Sequence, residues 1–386
     1  MSIVSEPVEF SASTSTFPET RTVKDLAILG MGTALPPYFI GQEESVRYAQ
    51  EAFCRTDEQK RILPLLYRMS GVKKRYSALL EAPEGTENRQ SFLPMPTGSE
   101  DRGPTIGARM NVYERESLPL AVRAATQALA NSATVPKDIT HLVTVSCSGF
   151  VAPGVDIRLI KDLGLRATVQ RAHLGFMGCH GALNGLRVAH GFANTDPQAR
   201  VLLCAVELCS IHYHYGWNPD FIVANALFAD GAAALIAAPA KDGQDGAWQV
   251  HATGSCLLPD SEDAITWRIG DHGFVMSLSP RVPDLIATHL KAWLESWLSA
   301  HGLALSDIRS WAVHPGGPRI LGAVNTALSL PKDALDVSKE LLREHGNMSS
   351  PTVLFIINQL RQRGAQRPCV ALAFGPGLMA EAALFV

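Results

Sequence analysis

The stretch Phe176-Met177-Gly178-Cys179-His180-Gly181 sets a cysteine between two glycines. An extended segment ends near Gly175, and Leu183, Leu186 and Ala189 follow at helical spacing. This order predicts a strand, a sharp turn and a helix. It puts the Cys179 sulfur at a helix N-terminus, where unpaired N–H groups and the helix dipole favour a thiolate. Gly178 and Gly181 suit a turn with no Cβ in the way. Two more polar residues stand in equally stiff surroundings: His314 in Trp311-Ala312-Val313-His314-Pro315-Gly316-Gly317-Pro318, and Asn347 in Gly346-Asn347-Met348-Ser349-Ser350-Pro351. A thiolate attacks acyl groups, an imidazole activates a thiolate, and two side-chain N–H donors stabilise an oxyanion. The three far-separated residues are the parts of an acyl-transfer site that only the fold can bring together.

Each has a plainer reading. A small buried thiol is the common fate of an intracellular cysteine, and it suits Cys54, Cys204, Cys256 and Cys369. For Cys179 the turn-to-helix setting favours a nucleophile. His314 follows an apolar strand, at the C-terminal edge where α/β proteins gather their sites. Its expected work is to keep Cys179 ionised and to donate Nε2–H to an acyl oxygen; a core histidine would not need the Pro-Gly-Gly-Pro loop. Asn347 cannot ionise and offers a donor of fixed character. The alternative, a helix cap, holds at the same time: Ser349 or Ser350 caps a helix beginning at Pro351 while Asn347 faces the substrate.

Working outward, Leu26-Ala27-Ile28-Leu29-Gly30-Met31-Gly32 reads as a buried strand running into a turn, without the third glycine of a dinucleotide fingerprint. Residues 81–107 are rich in Pro, Gly, Glu and Asn, and an irregular segment of that length in a compact protein is functional or packs on a neighbour. Helical spacing marks 118–130, 282–299 and 351–362; buried strands are expected at 142–145, 201–206, 233–237, 248–253, 311–313 and 370–374. A boundary falls in Ala240-Lys241-Asp242-Gly243-Gln244-Asp245-Gly246. Strands alternating with helices on both sides of it argue for an α/β architecture.

The chain of 386 residues, 46% hydrophobic, suffices for two domains or one duplicated unit. A net charge of −3 with no basic patch argues against nucleic acid as a partner. Seven cysteines without Cys-x-x-Cys spacing suit a reducing cytoplasm. No apolar run approaches the ~18 residues of a membrane span. Residues 1–22, rich in Ser, Thr, Glu and Pro, read as a disordered tail and not as a leader, which leaves a cytoplasmic protein as the expectation. His212 and His214 would point the same way on a strand, with Cys209 nearby, so a soft-metal site stands beside the reading of a cavity wall.

The three motifs occur in order with Ile139-Thr140-His141-Leu142, Ser148-Gly149, Pro153-Gly154-Val155-Asp156, Ala226-Leu227-Phe228-Ala229-Asp230-Gly231-Ala232-Ala233 and Phe374-Gly375-Pro376-Gly377-Leu378. On these residues the chain resembles the chalcone-synthase-like (type III) polyketide synthases, and Trp267-Arg268-Ile269-Gly270-Asp271-His272-Gly273-Phe274 resembles their bacterial members. The resemblance implies a thiolase-like layered αβαβα fold of two duplicated halves, 23–240 with the nucleophilic cysteine and 247–386 with the histidine and asparagine. It implies a homodimer that loads an acyl-CoA starter on Cys179 and extends it with malonyl-CoA by decarboxylative condensation. Ring closure to a pyrone or a resorcinol- or phloroglucinol-type product follows, with no cofactor or metal.

Residue by residue, the resemblance places Phe228, Met276, Glu207, Ser148, His212, Ser349, Gly375 and Pro376 around the substrate. It places Arg68 and Lys73 on coenzyme A, with Lys74 and Arg75 close by and Leu65 where plant relatives carry a lysine. Ala152 and Met276 replace bulkier or stiffer groups, which with the bacterial-type segment points to a fatty acyl starter; His212 on the wall points to a small one. The rival on the same fold is a ketoacyl synthase that takes acyl carrier protein. A papain-like hydrolase shares the trio but not the residues around the cysteine. A silent binding protein would not need all three groups.

Overall fold

The computed structural model describes residues 24–87, 89–241 and 246–386. The expected tail at 1–22 and most of the boundary at 240–246 lie outside them. In chain order come β1 (Leu26–Ala34), β2 (Phe39–Gly41), α1 (Gln42–Phe53), α2 (Asp57–Met69), β3 (Lys74–Tyr76), α3 (Ile106–Ser132), β4 (His141–Ser146), α4 (Val155–Asp162) and β5 (Gln170–Gly175). Then follow α5 (Gly181–Thr195), β6 (Val201–Leu208), α6 (Pro219–Leu227), β7 (Asp230–Pro239), β8 (Gln249–Leu257), β9 (Ile265–Gly270), β10 (Gly273–Leu278) and α7 (Val282–Ser299). The last are β11 (Ser310–Val313), α8 (Pro318–Leu328), α9 (Asp336–His345), α10 (Pro351–Gln362), β12 (Cys369–Gly375) and β13 (Met379–Phe385).

The duplication invisible in the residues is plain in the ladders. β1 pairs β7 antiparallel, β7 pairs β6 antiparallel, and β6 pairs β4 parallel. β8, β13, β12 and β11 repeat that order. β5 adds a further parallel strand at the free edge of the first half, and a short ladder between β1 and β8 joins the halves into one nine-stranded sheet.

Side-chain alternation builds the layers. Ala233, Leu235 and Ala237 of β7, like Ala371 and Ala373 of β12, face a shared core with α5 and α10. Their neighbours Ala232, Ala234 and Ile236 face an outer layer of α3, α1 and α4, while Val370, Leu372 and Phe374 face α7 and α8. Helix, sheet, helix, sheet, helix is the resulting order, and the two central helices each begin beside a motif: α5 after Cys179, α10 after Asn347.

Two sequence readings are corrected. Gly30 and Gly32 do not form a turn but lie inside β1, because α3 crosses directly over them. A Cβ on Gly32 would sit 2.2 Å from Ala124 O, and one on Gly30 2.5 Å from Ser132 N. α3 begins at Ile106, twelve residues before the helical spacing becomes legible. Its first half hides Arg109, which is fully buried with Nε donating to Pro104 O at 2.9 Å and Nη1 donating to Ile211 O and Tyr213 O. A buried arginine held by carbonyls reads as a surface residue in any hydrophobicity pattern.

Candidate active site

The strand–turn–helix around Cys179 is present, with a short 3₁₀ turn (Gly178–His180) between β5 and α5. Gly178 has φ +77°, and a Cβ there would meet Pro376 Cδ at 2.3 Å, so the turn closes only with glycine against the Gly-Pro-Gly loop. Gly375 in turn lies against the His180 ring, 2.4 Å from where a Cβ would stand. Gly375 and Pro376 both line the cavity, and their packing sets the position of Cys179.

His314 follows the last residue of β11 and extends its ladder, N–H donating to Leu372 O at 2.8 Å. Asn347 is held by two backbone bonds to the segment around Phe228: its N–H donates to Leu227 O at 2.9 Å, and Ala229 N–H donates to its carbonyl at 2.8 Å. Ser349 N–H donates to Asn347 Oδ1 at 2.7 Å, which fixes the amide and leaves its NH₂ as the free donor. Cys179, His314 and Asn347 line one cavity of about 470 Å³. Both ring nitrogens of His314 are buried without a hydrogen-bond partner among the described residues. Leaving a buried polar atom unpaired costs about 1–3 kcal/mol, and His314 carries two such atoms on one imidazole.

The expected ion pair meets opposition. Burial pushes the Cys179 thiol up to about 11, against the lowering effect of hydrogen bonds from the Ser349 hydroxyl and the Asn347 amide. Burial and the nearby His180 push His314 down to about 3. Burial therefore works against the charged form of both groups, and the hydrogen bonds from Ser349 and Asn347 work toward it at the thiol. The expected serine cap is also corrected. Neither Ser349 nor Ser350 caps α10; Met348 N–H donates to Thr352 Oγ1 at 2.9 Å, and Ser350 Oγ donates to Glu207 Oε1 at 2.7 Å.

Glu207 lies within β6, fully buried. It accepts from Cys147 N, from Ser148 N at 2.9 Å, and from the hydroxyls of Ser148 and Ser350, both at 2.7 Å. Desolvation raises its pKa while these donors pull it down. Ser148 passes the contact on, since its carbonyl accepts from His212 Nε2 at 2.7 Å. His212 and His214 are not on a strand: the chain makes a 3₁₀ turn at Cys209–His212. His212 Nδ1 accepts from Phe274 N–H at 3.0 Å, so both its nitrogens are taken by backbone, and its ring stacks on Phe274 at 4.2 Å. His214 bonds Phe274 O instead, and no group of three His, Cys, Asp or Glu among the described residues is placed to hold a metal.

Phe228, Met276 and Ser349 line the same cavity. Arg68 and Lys73 do not line it. They are exposed at and just beyond the end of α2, with no salt bridge among the described residues, where Gly71 meets Pro318 at the start of α8. Of their neighbours, Lys74 pairs with Glu344 at 3.7 Å and Arg75 is buried. Ala152 is exposed and lies outside its own chain's cavity. Sequence reasoning missed Cys147, whose sulfur accepts from Gly178 N–H at 2.9 Å beside the nucleophile, although it adjoins the quoted Ser148-Gly149. It also missed Trp267 as a wall residue: its Nε1–H donates to Cys147 O at 2.9 Å.

Known proteins match this chain over most of its length. Residues 17–240 match the family model of the N-terminal domain of chalcone and stilbene synthases, and residues 249–386 match that of the C-terminal domain. The chain is 36% identical over 374 residues to 1,3,6,8-tetrahydroxynaphthalene synthase of Streptomyces peucetius subsp. caesius, covering 95% of each. It is 30% identical to the alpha-pyrone synthesis polyketide synthase-like Pks18 of Mycobacterium tuberculosis, over 93% of this chain and 90% of that one. The crystal structure of PKS-I from the brown alga Ectocarpus siliculosus superposes with a TM-score of 0.88 at 30% identity, covering 95% of this chain and 99% of that one.

Proposed function

Because this chain belongs to the chalcone and stilbene synthase family, as a type III polyketide synthase with the thiolase-like fold, we propose that Cys179 takes a starter acyl group from coenzyme A. The Cys179 sulfur attacks the thioester carbonyl, His314 accepts the thiol proton, and that proton leaves with the coenzyme A thiol. Malonyl-CoA then loses its carboxyl group as carbon dioxide. The electron pair of the broken C–C bond forms an enolate whose oxygen is held by an N–H of His314 and the amide of Asn347. The enolate carbon attacks the Cys179 thioester and releases the sulfur. Loss of carbon dioxide drives each round, so the reaction calls for no organic cofactor or metal.

The observation that carries this reading is that His314, whose two buried ring nitrogens have no partner among the described residues, lines one cavity with Cys179 and Asn347. Repeated extension and ring closure would give a pyrone or a resorcinol- or phloroglucinol-type product from a fatty acyl starter, with coenzyme A phosphates taken by Arg68 and Lys73. The test is mass spectrometry of products from purified protein given malonyl-CoA and a ladder of acyl-CoA starters. A chain-length optimum at eight carbons or more supports the fatty starter.

A second reading has its own observation. His212, Phe274 and Trp267 form a stiff aromatic wall, with rings 4.2 and 5.6 Å apart and backbone bonds fixing both polar rings. Such a wall suits a small starter, and the relative from Streptomyces is named for a compact naphthalene product. Specificity constants that peak at acetyl- or malonyl-CoA would select it.

A homodimer is part of the proposal. β5 is an edge strand, and the exposed apolar residues Phe150, Ile157 and Met177 lie on the segments around it. An unpaired edge beside exposed apolar side chains is a surface that proteins cover. No helix among the described residues is long and apolar enough to cross a membrane.

A further inference from the structure

His180 follows the nucleophile directly, and its ring is buried at the start of α5. Its Nδ1 lies 2.7 Å from Asn184 Oδ1, one helical turn on. The Asn184 amide is oriented from its other side: Nδ2 donates to Glu381 Oε1 at 3.0 Å, which leaves Oδ1 for the ring. An amide oxygen only accepts, so in the neutral imidazole Nδ1 carries the proton and Nε2 does not. Glu381, buried within β13, also accepts from Ser255 Oγ at 2.7 Å and pairs with Arg187 of α5. Burial favours the neutral ring and Arg187 works the same way, against the opposite pull of Asn184 and Glu381.

The other edge of the ring meets the second half of the chain. A Cβ on Gly375 would stand 2.4 Å from His180 Cδ2 and 2.6 Å from Nε2, so β12 ends directly against the imidazole. β12 is the ladder neighbour of β11, and its Leu372 O accepts the N–H of His314. The two imidazoles are near enough for His180 to act on the charge of His314. An apolar ring would fill the same space, but the bond to Asn184 also fixes the rotation of the imidazole. We propose that His180 is a positioning residue: clamped between Asn184 and Gly375, its ring sets where the Cys179 sulfur stands relative to His314. His180 does not line the cavity, so it acts through Cys179. The proposal rests on the acyl-transfer reading above and adds a residue to it.

Loading needs the thiol and His314 in register, whereas decarboxylation of malonyl-CoA needs only His314 and Asn347. The two rates therefore separate positioning of the thiol from a merely structural role. The test reads acylation of Cys179 by acetyl-, hexanoyl- and dodecanoyl-CoA from intact protein mass, carbon dioxide release from malonyl-CoA, and the urea midpoint. His180→Phe keeps a ring and removes the bond to Asn184. Acylation falls by about tenfold to a hundredfold, as for a slightly misplaced group, and decarboxylation by about threefold at most. Asn184→Leu leaves the turn itself unaltered, shows the same split, and decides the matter if His180→Phe misfolds. His180→Asn keeps an N–H donor where Nδ1 stands and restores acylation to within about threefold of the unaltered protein. Two rates that fall in proportion, rates unmoved by His180→Phe and Asn184→Leu, or a His180→Asn variant no better than His180→Phe overturn the positioning role while the acyl-transfer reading stands. An unaltered protein that takes no acyl group on Cys179 overturns that reading and the role with it.

Discussion

Ser350 Oγ donates to Glu207 Oε1 at 2.7 Å, tying the half of the chain that carries Asn347 to the half that carries Cys179. The bond is fully buried at both ends, and Glu207 spends its other acceptor sites on the backbone of Cys147 and Ser148 and on the Ser148 hydroxyl. One carboxylate thus fixes the floor of the cavity from both halves. Ser350→Ala leaves part of that charge unsatisfied. It is expected to lower the unfolding free energy by about 1–3 kcal/mol, the range for a lost hydrogen bond to a charged group, as read by urea titration. The carboxyl pKa should rise further, because the serine bond is among those that lower it. Stability equal to that of the parent protein would show that the contact is not made.

Division of labour gives the second prediction. Cys179→Ala should abolish loading and condensation but retain measurable decarboxylation of malonyl-CoA, because His314 and Asn347 still hold an enolate oxygen. Asn347→Ala should lower decarboxylation by about a hundredfold to a thousandfold and still permit acylation of Cys179. The readouts are carbon dioxide release and intact protein mass. Full-length product from Cys179→Ala would remove the nucleophile assignment.

Alkylation of the thiol gives the third. Burial holds Cys179 near 11, so the rate of its reaction with iodoacetamide should keep climbing with pH between 7 and 9, by up to about tenfold per unit. Ser349→Ala should slow it across that range, since the Ser349 hydroxyl is the largest single influence lowering this pKa. A plateau near neutrality, lost in His314→Ala, would instead mark a preformed thiolate–imidazolium pair.

The parts of the site legible in the sequence are those where glycine and proline constrain the backbone. Gly178 and the loop after His314 announce turns because few other residues could occupy them, and the apolar runs beside them announce β12, α5 and α10. What the sequence hides depends on contacts between distant elements. Gly30 and Gly32 signal a turn by composition, but their role is to admit α3 against β1, which no local pattern encodes. Ser349 and Ser350 look like caps, yet Glu207 on another strand claims Ser350 and the turn places Ser349 at φ +57° facing the thiol. The cavity wall at Leu80 and Leu93 comes from an irregular segment that Arg89 ties to Glu44, 45 residues away.

The last prediction concerns acid. His314 titrates near 6.5 when unfolded and is pushed to about 3 in the fold by burial and His180. Between those values the unfolded chain binds a proton there that the folded chain does not. The stability tied to a neutral His314 is fully present above about pH 6.5 and is lost as pH falls toward 3. His212, pushed to about 3 by its own burial, adds a second proton over the same window. Each contributes a slope of up to about 1.4 kcal/mol per pH unit. His314→Asn should therefore flatten the acid limb by about one proton while leaving the His212 share, as read from denaturant midpoints between pH 7 and 4. An acid limb of unchanged slope would mean that His314 accepts its proton in the folded state, and with it that the imidazolium is available to Cys179 at rest.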